Sequence, residues 1–315
     1  MVTFEYVEPG SLKEACDLLE RHPDDAKLIA GGTALVIWMR LGLLKPGVVI
    51  SLEKIPDFSY IRHSENDGLR IGAGARHREI ELSAVVRSRY PLLHETFRKV
   101  AQPRIRNMGT IGGNLCQGDP LTDPGASLIA LDAEITLTGS RGGRTLPLEE
   151  FFVDYYETAI RPGEILTEIH VPPAAKGLGW AHIKFLPRSE EDFATVGVAL
   201  TMRAQNDHCE DIRLALNSVA PTILRARRAE NVLRGKKITD DLLQEMGNIR
   251  YFPISRRPAS CASESTMETP CSRPEIRAAE SSAAWPSIWR GSLAGGSARP
   301  SSWSATRRRA KWSRR

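Results

Sequence analysis

"VAQPRIRNMGTIGGNLCQGDP", residues 100–120, sets two adjacent glycines before an asparagine, and "LIAGGTAL", residues 28–35, sets an earlier pair before a threonine. Glycine adopts positive φ freely and lets a backbone approach a ligand closely. Successive amides in such a turn form a concavity for anions, and a helix starting there adds a favourable dipole. Gly31-Gly32-Thr33 precedes a helix-like run and suits a phosphate. Gly112-Gly113-Asn114 is expected to offer bare amides and one side-chain amide. Two such turns suit a ligand with more than one phosphate, such as a dinucleotide pyrophosphate. Taken singly, each is an ordinary strand-end turn. Neither turn holds a lysine or arginine, so neutral amides would carry the phosphate charge. Arg104 and Arg106 are near enough in sequence to help, or else form a solvated basic turn.

Standard fingerprints are missing. "GAGARH", residues 72–77, has His77 where a Rossmann turn needs its third glycine, and no phosphate-loop motif occurs. The seven histidines form no ligand pair, and no nucleophile–base–acid order can be defended. The five cysteines are odd in number and lack C-x-x-C spacing, which argues against a disulfide framework, a zinc site or an iron–sulfur site. Reduced thiols and the lack of a secretory pattern suggest the cytoplasm. No apolar run reaches the roughly 20 residues of a membrane span.

The 315 residues are 41% hydrophobic and 26% charged, enough to bury a sizeable core. The net charge of +5 is unevenly spread: residues 251–315 carry +8 and the rest −3. Nucleic-acid binding therefore rests on the tail alone, without the aromatic–basic interleaving that would support it. From residue 255 onward there is one leucine, no valine and no aspartate, but fourteen serines and four of the six tryptophans. That is neither a core nor a usual disordered composition. Residues 251–315 read as GC-rich coding sequence translated out of frame, or as a disordered basic extension.

Periodicity gives the elements. "SLKEACDLLERH" opens with a capping box, Ser11 answered by Glu14. "KLIAGG" reads as a strand into a turn, "TALVIWMRLG" as a helix closed by Gly42, and "GVVISLEKI" as a buried strand. After two helical stretches broken at Pro91, residues 109–125 read as a loop. "ASLIALDAEITLTG", "RTLPLEEFF", "EILTEIHVPP" and "WAHIKFLPR" then read as strands of an antiparallel sheet. A hairpin turning at Asn206-Asp207 and two helical stretches follow, and the pattern stops near residue 251.

"LIAGGTAL" together with "RNMGTIGGNLCQGDPLTD" resembles the FAD-binding subunit of molybdenum-containing hydroxylases, the family of xanthine dehydrogenase and the medium chain of aerobic carbon monoxide dehydrogenase. The resemblance covers about residues 1–250, with further similarity at "IGAGA", "GEILTEIHVP", "KFLPRSEEDFATVGVA" and "PTILRARRAE". It implies that Leu28, Ile29, Ala30, Gly31, Gly32, Thr33, Ala34 and Leu35 wrap the FAD pyrophosphate. Thr110, Ile111, Gly112, Gly113 and Asn114 would lie along its other side. It further implies that Asp123 contacts the cofactor and that Leu166 and Lys184 line the flavin, where a cation would favour the anionic reduced form. The family's first motif is usually A-G-G-T-D-L, and Ala34 here replaces the acid.

The fold implied is α+β: a PCMH-type FAD-binding fold of two subdomains, 1–57 and 58–173, then a small sheet-plus-helix C-terminal domain, 174–250. FAD would lie between the first two. Electrons would pass from an iron–sulfur small subunit through FAD to NAD or another acceptor, with substrate oxidised on a molybdenum-cofactor large subunit. No catalytic or metal-binding residue is expected on this chain. The rival is a self-contained FAD-dependent oxidoreductase of the same fold, for which Asp192 and Glu157 are the candidate acid–base residues.

Overall fold

The computed structural model describes residues 3–249 apart from residues 187 and 190. The reading of 251–315 as out-of-frame or disordered falls outside the described residues. The α+β expectation holds, on three larger sheets and one two-stranded sheet among the described residues.

The first sheet is parallel. Strands β1 (Glu5–Val7), β2 (Ala26–Ile29) and β3 (Val48–Ser51) lie in the order β1-β3-β2. Helices α1 (Leu12–Arg21) and α2 (Leu35–Arg40) make the crossovers. Ser11 caps α1 by accepting from the Glu14 amide, and Glu14 answers at the Gly10 amide, 2.8 Å away, rather than at Ser11. Every residue of the central strand β3 is buried. Gly42, at φ +72°, ends the α2 turn as expected.

The second sheet is antiparallel. Its hairpin β4 (Ile61–Ser64) and β5 (Gly68–Gly72) is followed by α3 (His77–Leu82), α4 (Ala84–Arg89), α5 (Pro91–Arg98), α6 (Pro103–Arg106), α7 (Ile111–Cys116) and α8 (Asp123–Ala130). Next come β6 (Glu134–Gly139), β7 (Gly142–Pro147), the short pair β8 (Phe152–Asp154) and β9 (Glu157–Thr158), and β10 (Ile165–Val171), giving the order β4-β5-β10-β6-β7. One core joins both sheets through Ile50, Ile71, Phe97, Ile111 and Ile135.

Two expectations need correction here. Residues 109–125 are not an open loop: they hold α7 and the start of α8. The "ASLIAL" half of the expected strand is helical, because all eight residues of α8 are buried and a helix apolar on every side has no 3.6-residue stripe to read. Pro124 in its first turn suits a helix start.

The third sheet, in the order β11-β12-β13-β14, is built from β11 (Gly179–Phe185), β12 (Val196–Gln205), β13 (His208–Asn217) and β14 (Leu224–Arg225). Asn206 and Asp207, at φ 49° and 62°, turn the β12–β13 hairpin as expected. Helices α9 (Arg227–Leu233) and α10 (Asp240–Gly247) share an apolar core with Val198, Leu200, Met202, Ile212 and Leu214. The opposite face rests on α8, where the Thr201 hydroxyl donates to the Ala130 carbonyl at 2.7 Å.

Candidate functional site

The first glycine turn links β2 to α2. Gly32 sits at φ +69°, open to glycine but strained for other residues. The amides of Ala30, Gly31, Gly32, Thr33 and Ala34 donate to no protein acceptor among the described residues. These residues are half-buried, and Ala30 and Gly31 line a cleft. A side chain at Gly31 would overlap the Met108 carbonyl oxygen, which brings this turn against the entry of the second. Beside that contact opens a cleft of about 260 Å³, lined by Ala30, Gly31, Met108 and Thr110 and by Leu52, Ile55, Phe58 and Arg76.

The second turn differs from expectation. Its amides are not bare. Ile111 donates to the Ala75 carbonyl and Gly112 to the Ala73 carbonyl, both at 2.9 Å. Gly113 donates to Thr110 Oγ1 at 3.2 Å and Asn114 to the Thr110 carbonyl at 3.0 Å, which makes Thr110 the cap of α7. A Cβ on Gly112 would stand 2.6 Å from the Ala73 Cβ, so this glycine serves close packing of α7 on the β5 end. Gly113 is exposed and meets only Thr110 Oγ1. The turn's free acceptor is Asn114 Oδ1, which is buried without a partner among the described residues.

Behind the second turn sits His77, which the sequence offered only as a glycine gone missing. It is 3% exposed, donates its main-chain amide to the Gly109 carbonyl at 2.9 Å, and packs on Phe97 with ring centroids 5.4 Å apart. Its Nδ1 has no partner among the described residues. Burial, with Arg106 nearby, lowers its pKa to about 4. Arg106 is no phosphate ligand: it is buried, pairs with Glu81 at 2.8 Å and donates to the Val100 and Ala101 carbonyls. Arg104 is exposed.

Asp123 and Lys184, 61 positions apart, meet as a buried ion pair at 2.8 Å, their side chains 5% and 2% exposed. Lys184 also donates to the Lys99 carbonyl at 2.8 Å. Its charge is thus already matched inside the protein. Burial pushes the Asp123 carboxyl up against the opposing pull of Lys184. Asp123 Oδ1, Asn217 Oδ1 and both ring nitrogens of His182 are buried without partners among the described residues. Burial also lowers the His182 pKa to about 4. Leu166 is 2% exposed, packed in the shared core and paired with Leu137 of β6. Leu28 and Ile29 lie in β2, half-buried, and Leu35 opens α2.

The rival acid–base pair gains no support. Glu157 is exposed on β9, and Asp192 caps the Ser189 amide at 3.3 Å and faces Arg188 at 3.7 Å. Among the described residues no group of three or more histidine, cysteine, aspartate or glutamate side chains could hold a metal ion, and no helix is long and apolar enough to cross a membrane.

Comparison with known proteins gives the family. Residues 2–174 match the family described as the FAD binding domain in molybdopterin dehydrogenase, and residues 181–249 match the CO dehydrogenase flavoprotein C-terminal domain. The chain is 40% identical over 241 residues to the carbon monoxide dehydrogenase medium chain of Hydrogenophaga pseudoflava, covering 76% of this chain and 83% of that one. It is 34% identical over 245 residues to the glyceraldehyde dehydrogenase medium chain of Sulfolobus acidocaldarius, covering 78% and 86%. The solved carbon monoxide dehydrogenase from Hydrogenophaga pseudoflava that lacks the Mo-pyranopterin moiety superposes with a TM-score of 0.75 at 41% identity, covering 78% of this chain and 84% of that one.

Proposed function

Because the chain belongs to the FAD-binding medium subunits of the molybdenum hydroxylase family, which are FAD-containing oxidoreductase components, we propose that it relays electrons between partner subunits and a soluble acceptor. The donor is an iron–sulfur small subunit, itself reduced by a molybdenum-cofactor large subunit that oxidises the substrate. The acceptor is NAD or another oxidant, and the complex works in the cytoplasm.

The observation that carries this reading is the set of amides from Ala30 to Ala34, unengaged among the described residues, in a turn packed against the entry of a second turn that has a free buried acceptor but no cation. Those amides suit a pyrophosphate, and Asn114 Oδ1 suits a hydroxyl or amino donor of the same molecule. FAD, when bound, supplies a ring that takes and gives electrons. The chain's own residues bind and shelter it. Residues 28–35 hold the phosphates, and Thr110 to Asn114 form the opposite wall. Asp123 Oδ1 remains open to one more donor while Lys184 keeps the buried carboxylate compensated. Segments 1–57 and 58–173 act as the two jaws, and 174–250 backs the second through α8.

Purified protein should be yellow and release FAD on denaturation. Its flavin should stay oxidised when aldehydes or purines are added to the chain alone and become reduced only with the partner subunits present. Colourless protein that takes up no added FAD would sink the cofactor assignment. Flavin reduction by substrate without partners would replace the relay with the self-contained oxidoreductase.

A further inference from the structure

Helix α2 follows the first glycine turn directly, yet none of its residues is buried, and Val36 and Ile37 are 43% and 51% exposed. Nor does its cap residue, Ala34, make a side-chain capping bond. The core therefore does little to fix a helix whose start sets the direction of the cradle amides. One ring contact does reach it. Trp38 meets Tyr156 edge to face, with centroids 5.5 Å apart and planes at 78°.

Tyr156, 54% exposed, makes that contact from an unusual backbone conformation. It occupies the turn between β8 and β9 at φ +57°, a conformation that a bulky residue adopts at a cost. Its amide donates to the Gly118 carbonyl at 2.9 Å. Gly118, at φ +63°, lies so close that a Cβ there would stand 3.1 Å from the Tyr156 main chain. Gly118 is two residues beyond the end of α7, the helix that the second glycine turn opens. The contacts run from the first turn through α2, Trp38, Tyr156 and Gly118 to α7. Among the described residues it is the ring–ring contact that joins 1–57 to 58–173.

We infer that Trp38 and Tyr156 form a clasp across the cofactor cleft, a positioning pair that fixes the spacing of the two glycine turns and slows release of FAD. The inference rests on the proposed FAD site and adds two residues outside both glycine turns, of which Trp38 reaches the first through its amide, which donates to the Ala34 carbonyl at 3.1 Å. Edge-to-face packing is the favoured geometry for such rings, and the phenol hydroxyl is not needed for it.

The test is the rate of FAD release from the full-length protein, followed by recovery of free-flavin fluorescence. Trp38→Ala and Tyr156→Ala should each speed release by about threefold to tenfold, the worth of one such ring pair. Tyr156→Phe should release FAD as wild type does, and the double alanine variant should be no faster than either single one. Melting of the FAD-free protein should barely change. Unchanged release in both single variants, or effects that multiply in the double variant, would overturn the clasp. Equal loss of melting temperature with and without FAD would make the pair merely structural and overturn it too. Wild-type protein that binds no FAD would instead remove the proposed function, and the clasp with it.

Discussion

The two glycine turns look alike in sequence and do opposite work. Among the described residues, the amides from Ala30 to Ala34 are unspent, and from Ile111 to Asn114 every amide is spent inside the chain. The first turn is a cradle held open. The second is a joint that locks α7 onto Ala73 and Ala75 and leaves one buried side-chain oxygen, Asn114 Oδ1, without a partner among the described residues. A glycine pair therefore states only that backbone comes close to something. Whether that something is a ligand or the protein's own main chain depends on where the amides go.

The largest effect should come from the place where the two turns touch. A side chain at Gly31 overlaps the Met108 carbonyl, and neither main chain can swing away cheaply. Gly31→Val should cost on the order of 4 kcal/mol or more and abolish FAD uptake. Urea denaturation and the flavin absorbance of purified protein measure the two losses. Near-normal stability would mean that the turns separate easily and that their contact does not define the cleft.

Next is the ion pair behind the joint. Lys184→Met leaves the Asp123 carboxylate buried and uncompensated, which should cost about 3–5 kcal/mol. Adding Asp123→Asn should recover much of that stability, since a neutral pair needs no countercharge. If the double variant regains stability but not FAD, Asp123 Oδ1 is a cofactor contact. If it regains both, the pair belongs to the framework alone.

Much of this was legible in the sequence. Strand, glycine turn and helix around residues 26–40 are local, and local pattern sufficed. The spent amides of the second turn were not legible, because their acceptors, Ala73 and Ala75, lie more than thirty positions upstream. The same distance problem hid the Asp123–Lys184 pair and the burial of Arg106 against Glu81. Helix α8 was misread because burial on all sides erases the periodicity that marks a helix. His77 gave a signal, a large residue where a glycine-rich run should continue, but nothing in the sequence said that it was buried behind Gly109.

That histidine makes the joint the acid-sensitive half of the comparison. His77 titrates near 6.5 when unfolded and at about 4 when folded, so between those values the unfolded chain binds the extra proton. Stability should fall as pH drops from 6.5 to 4, by up to about 3 kcal/mol from this residue. His182, also lowered to about 4, adds a like amount in the same window. His77→Leu should flatten its share of the slope, measured as unfolding free energy against pH. An unchanged slope would show that His77 is protonated without cost.

The smallest expected change is at Gly113, where the two roles can be separated. It lies within α7, where alanine is favoured over glycine by roughly 0.5–1 kcal/mol. Its Cβ would meet only Thr110 Oγ1, at 2.9 Å, close enough to strain the cap and offset that gain. Gly113→Ala should therefore leave unfolding free energy within about 0.5 kcal/mol of wild type, as surface changes usually do. FAD binding is a separate matter. If the exposed side of Gly113 is a wall of the cofactor site, the added methyl group meets the ligand, and affinity should fall while stability holds. Titration of FAD-free protein with FAD, beside a denaturation curve, reads both. Unchanged affinity would confine the second turn to the joint and leave Asn114 as its contact to FAD. A matching loss in both would mean that the Thr110 cap, and not the cofactor, feels the methyl group.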